Sequence, residues 1–150
     1  MKPLVVLVGI FLISIFIIKL ITKEYDFYLS ARIGMCAMLF FTAIGHFAFT
    51  KGMTMMLPPM IPLKTEIIYF TGLLEVFLGI CLLIPRLNIY TGWILIVFFI
   101  LLLPANIYAS LKHVDYQKAT FDGNGLNYLW FRIPLQILFI AWTYFSTIKR

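Results

Sequence analysis

The chain has 150 residues, of which 63% are hydrophobic, 17% aromatic and only 12% charged, with a mean hydropathy of +1.00. Soluble domains carry about twice that charge density, and disordered, collagen-like and disulfide-stapled chains need polar, Gly-periodic or Cys-rich sequence, so one integral membrane domain remains. The formal charge of +6 comes from Lys and Arg placed at the ends of apolar stretches, which is membrane-edge placement and excludes a nucleic-acid footprint.

About 20 apolar residues cross a ~30 Å hydrocarbon layer, and five segments approach that length. They predict an all-α transmembrane helical bundle with spans at 3–22, 31–50, 65–84, 89–111 and 126–148. The first, after Met1, Lys2 and Pro3, has no small-x-small cleavage site and carries Lys19 and Lys23 behind its apolar stretch. It therefore reads as an uncleaved anchor helix rather than a signal peptide. Lys23, Glu24 and Asp26 follow it. The connector from Lys51 to Lys64 is unusual: Met53, Met55, Met56 and Met60 alternate with Pro58, Pro59 and Pro62. The prolines forbid a continuous helix, and the apolar character suits either an interfacial connector or a segment folded back as a lid. Pro85 to Asn88 make a tight turn, and Asp122, Gly123, Asn124 and Gly125 mark another in the long loop from Lys112.

Five spans place the termini on opposite sides. Each face holds five basic residues: Lys2, Lys51, Lys64, Lys112 and Lys118 on one, Lys19, Lys23, Arg86, Lys149 and Arg150 on the other. The short basic turn at Arg86, the residues after the first helix and the basic ending favour a cytoplasmic C-terminus, with a bacterial inner (plasma) membrane as the expected location.

Charged groups inside a bilayer cost a few kcal/mol each and mark sites. Glu75 lies near the middle of the third span, on one face with Gly72 and Gly79. The same depth argument brings Thr42 and His46, Asn106, and Arg132 with Gln136 toward the N-terminal half of the bundle. One inward-facing polar pocket built from Thr42, His46, Glu75, Asn106, Arg132 and Gln136 is the expectation, with a Glu75–Arg132 ion pair as the structural alternative. Pro104 frees a backbone carbonyl beside Asn106, and Pro134 does the same beside Arg132. Arg32 is expected to snorkel to headgroups, and Trp93, Trp130 and Trp142 to serve as belt or packing residues. One deep His and no His–Cys–carboxylate cluster predict neither haem nor metal. Cys36 and Cys81 read as buried free thiols at similar depth.

Five pieces resemble the DoxX-like family of small membrane proteins: ARIGMCAMLFFTAIGHFAF at 31–49, LPPMIP at 57–62, TGLLEVFLGICLLIPR at 71–86, PANIYAS at 104–110 and WFRIPLQILFIAW at 130–142. The resemblance implies a four-helix core over residues 31–150, with residues 1–30 as an added anchor helix and connector. It also implies links to quinone-coupled oxidation and redox-associated membrane complexes, or to assembly chaperones such as the NACHO proteins. The cysteine motifs of the redox branch that resembles the methylamine-utilisation membrane protein are missing here, which argues against thiol–disulfide chemistry. The sequence thus predicts a protein that partners the lipid bilayer and binds a small amphipathic or isoprenoid-like molecule such as a quinone. It has no catalytic motif and is at most a subunit of a quinone-linked oxidoreductase with a membrane or redox protein partner. The alternative is a non-catalytic assembly factor or small structural subunit.

Overall fold

The computed structural model describes residues 2–149. Met1 and Arg150 lie outside the described residues, and with them one basic residue of the charge tally. Six α-helices follow in order: α1 Lys2–Thr22, α2 Phe27–Ala48, α3 Thr50–Met55, α4 Lys64–Leu83, α5 Asn88–Leu111 and α6 Leu126–Thr143, the last continued by a π-helical turn Tyr144–Ile148. No strand occurs among the described residues, only an isolated antiparallel bridge between Asp115 and Thr120. Helices α1, α2, α4, α5 and the unit Leu126–Ile148 are each long and apolar enough to cross a membrane, so the fold is an all-α bundle with five candidate transmembrane helices.

The second helix begins four residues before the predicted start at 31. Asp26 is the reason: its Oδ1 accepts from the Leu29 N–H at 2.8 Å and its carbonyl from Ser30 N–H at 3.1 Å, a capped start that hydropathy does not register. The helical stretch of the Met- and Pro-rich connector ends before Pro58, as the prolines require, leaving the single short helix α3. That helix packs on α4 and on the loop after α5, so the connector folds back over one end of the bundle. Helices α5 and α6 continue through Pro104 and Pro134.

The packing is paired. Helix α2 is packed most extensively on α4 and α1, and α5 on α6, with α4 and α5 joining the two groups. Leu7, Met35, Met38, Leu39, Leu78, Leu82, Leu95, Phe98, Phe99, Leu135 and Phe139 form one apolar core across α1, α2, α4, α5 and α6. Helix α1 buries only Leu7 and Ser14 and presents Val5, Leu12, Phe16 and Leu20 outward, which suits a helix bathed in lipid on most sides. It lies close on α2 because Gly34 has no side chain: a Cβ there would sit 2.8 Å from the Leu7 carbonyl oxygen.

Arg32 departs from the expected snorkelling. Its side chain is buried, with Nε donating to the Tyr28 carbonyl at 3.3 Å one turn back along α2. Trp142 is a packing residue, its indole N–H bonded to the Ala31 carbonyl at 3.0 Å, whereas Trp130 and Trp93 are exposed as belt residues would be.

The loop between α5 and α6 is held by short contacts. Gly123 N–H donates to the His113 carbonyl at 2.7 Å, and Gly125 takes a φ of 61° with the His113 ring filling the space where a Cβ would stand. The Thr120 hydroxyl donates to the Asp122 carboxylate and holds it below the usual aspartate range. The same loop meets α3 at Gly52, where a Cβ would fall 1.7 Å from the Tyr116 carbonyl oxygen. Gly52→Ala is therefore expected to detach α3 from the loop at a cost of about 1–3 kcal/mol. Faster amide hydrogen exchange in both segments, with that of α4 unchanged, is the expected signature; equal exchange in wild type and variant contradicts it.

Candidate functional site

Two polar ladders are built into the bundle by residues four apart on facing antiparallel helices. In the first, Thr42 and His46 on α2 meet Thr71 and Glu75 on α4. The Thr42 hydroxyl lies 2.9 Å from Glu75 Oε2 and 3.0 Å from the Leu39 carbonyl, so its one hydrogen reaches two acceptors. His46 Nε2 stands 3.5 Å from Glu75 Oε1. His46 Nδ1 stands 3.1 Å from the Ile68 carbonyl and 3.1 Å from the Thr71 hydroxyl. A carbonyl can only accept, which places a hydrogen on Nδ1 and turns Nε2 toward the carboxylate.

Glu75 is 3% exposed and lies eleven residues beyond Lys64, about 16 Å along α4 at the α-helical rise. A carboxylate at that depth needs partners, and the ladder supplies them. Gly72 permits the approach: a Cβ there would sit 2.8 Å from His46 Cβ. Thr71 was absent from the expected set. Its signal was present in its spacing, since it precedes Glu75 by one helical turn as Thr42 precedes His46.

The second ladder joins α5 and α6. Asn106 Nδ2 donates to Gln136 Oε1 at 3.1 Å, and Gln136 Nε2 donates to the Phe99 carbonyl. Both amides are buried. One turn further toward the same end lie Ser110 and Arg132. Arg132 does not pair with Glu75, which is engaged by α2, and among the described residues no carboxylate lies within ion-pair distance of it. Its guanidinium instead lies over the Tyr128 ring at 5.2 Å. The six expected residues thus form two helix-pair clusters, with Arg132 apart from the first. No metal-ligating group of three or more His, Cys, Asp or Glu is present among the described residues. Cys36 and Cys81 are buried free thiols, Cys36 packed beside Gly79.

Two cavities lie elsewhere. One of about 360 Å³ is set between α1, α2 and the end of α6 and is walled by Phe11, Tyr28, Trp142 and Phe145. The other, of about 570 Å³, borders Phe16, Lys19, Lys23 and Tyr25.

Fold and site together define a helical bundle with candidate transmembrane helices and two interhelical polar ladders. The model of the family described as a domain of unknown function (DUF8561) matches residues 35–147, and the chain belongs to this family. The match begins within α2 and leaves α1 outside it. No curated protein and no solved structure matches the chain.

The first ladder makes two substitutions informative. Glu75→Ala strips His46 and Thr42 of their shared acceptor and is expected to cost about 3–5 kcal/mol, whereas Thr42→Val, losing one bond, costs about 1–3 kcal/mol. Thermal unfolding in detergent ranks them; equal melting temperatures for all three proteins would show that the ladder carries no stability. Gly72→Ala, which forces α2 and α4 apart at His46, is expected to resemble Glu75→Ala more closely than Thr42→Val.

Proposed function

We propose that this chain is an integral membrane protein whose polar ladders, in one half of the bundle, hold the head of a small amphipathic or isoprenoid-like molecule such as a quinone. The observation that carries the reading is the half-finished second ladder. Asn106 and Gln136 are satisfied, while Ser110 Oγ and Arg132 Nε, one turn on, are buried without a hydrogen-bond partner. Buried donors left open cost about 1–3 kcal/mol each and are retained where something completes them. An amphipathic guest fits because its head takes the donors while its tail remains among lipid-facing side chains such as Ile107, Ile133 and Ile137. The resemblance of His46, Glu75, Asn106 and Arg132 with their flanking residues to the DoxX-like pattern supports the same reading. On it the protein serves a redox-linked complex in a bacterial inner membrane with its C-terminus in the cytoplasm.

A second reading is favoured by the first ladder. Thr42, His46, Thr71 and Glu75 satisfy one another, as expected of groups that hold a bundle together in a non-catalytic assembly factor or small subunit. Native mass spectrometry with lipidomics on gently purified protein separates the two. A stoichiometric small molecule in the wild type, lost in a folded Arg132→Leu variant, is the expected result. Empty wild-type protein that co-purifies with a stoichiometric membrane partner overturns the ligand reading in favour of the assembly role.

A further inference from the structure

The register of α5 and α6 specifies the chemistry of the missing partner. Asn106 and Gln136 are bonded across the pair at 3.1 Å. Because the helices run antiparallel, four residues forward on α5 and four back on α6 reach the same level, which sets Ser110 opposite Arg132. Ser110 is 2% exposed and its hydroxyl has no partner; Arg132 is partly buried and its Nε has none. An arginine Nε is a donor only, whereas a hydroxyl can give one hydrogen and also accept. A guest that completes Arg132 must therefore accept.

Charge narrows the guest further. Glu75 is occupied by Thr42 and His46, and Asp115, the acidic residue of the adjoining loop, takes the Gln117 and Lys118 N–H groups on Oδ1 with Lys118 Nζ 3.9 Å from Oδ2. Neither neutralises Arg132. Tyr128 offers its ring face and a side-chain hydrogen bond, both neutral contacts that stabilise a cation without cancelling its charge. A cation flanked by a neutral donor at the edge of an apolar bundle is complemented best by an anionic oxygen, since charge-assisted bonds are about twice as strong as neutral ones.

We infer that Ser110 and Arg132 form an anionic head-group seat that takes a carboxylate or phosphate oxygen of a single-chain or two-chain lipid. This rests on the amphipathic-ligand reading and narrows it from neutral carbonyl heads to acidic ones. Arg132 supplies the charge and one N–H, Ser110 a second hydrogen bond, and Asn106 with Gln136 fix both helices in register beneath them. The first ladder takes no part in head-group choice.

The test uses the full chain in detergent, titrated by native mass spectrometry with oleate, oleyl alcohol, phosphatidic acid and decylbenzoquinone. Oleate or phosphatidic acid is expected to bind at least about tenfold more tightly than oleyl alcohol, a difference of about 1.4 kcal/mol. Arg132→Gln should abolish that preference, Arg132→Lys retain part of it, and Ser110→Ala weaken the acidic lipid severalfold, with Thr22→Val at the far end of α1 as the unaffected control. Melting temperatures establish that each variant is folded. Preference for oleate assigns a carboxylate head, and preference for phosphatidic acid a phosphate head. If decylbenzoquinone or oleyl alcohol binds as well as either acid, or the preference survives Arg132→Gln, the anionic seat is wrong while the amphipathic-ligand reading stands. If no probe binds the folded wild type and nothing co-purifies with it, both fall.

Discussion

Polar groups placed deep in an apolar bundle must find partners within the chain, and the arrangement of α2 against α4 follows from that requirement. Glu75 is the group with most to lose, and every feature around it serves its satisfaction. Gly72 removes the side chain that would hold the helices apart. Thr42 and His46 arrive on successive turns of α2 at the spacing that meets Thr71 and Glu75 on α4. The Ile68 carbonyl fixes which face of the imidazole is turned to the carboxylate. Removing any of these disturbs the others, because each is a partner rather than a neighbour.

The second helix pair obeys the same rule incompletely. Gln136 spends its amide on Asn106 and on the Phe99 carbonyl, a backbone oxygen in the turn before Pro104. One turn beyond, Ser110 Oγ and Arg132 Nε have no such partner, in contrast to the closed set between α2 and α4.

Much of this was legible in the sequence. The five candidate spans and their approximate positions followed from apolar stretches long enough to cross a bilayer, because such stretches admit few other structures, while the short α3 did not. The depth of Glu75 and its face shared with Gly72 followed from helical periodicity. What periodicity could not supply was which helix faces which. Depth alone gathered Thr42, His46, Glu75, Asn106, Arg132 and Gln136 to one level and so suggested a single pocket, with Glu75 and Arg132 as natural partners. Packing instead assigned Glu75 to α2 and left Arg132 over Tyr128. Arg32 misled for a related reason: its position near a helix start suits snorkelling, whereas its side chain is buried and turned back onto the Tyr28 carbonyl. The Asp26 cap and the role of Thr71 were local signals that hydropathy does not weigh.

The first ladder also stiffens one half of the molecule. Helices α2 and α4, joined by rungs one turn apart, cannot slide by a residue, about 1.5 Å, without stretching every rung together, so this pair behaves as a stiff beam. The α5–α6 pair is fastened to that beam by apolar contacts, by the Trp142 N–H bond to the Ala31 carbonyl and by the short turn from Ile84 to Asn88, so its position is set by the beam rather than by the single closed rung it carries.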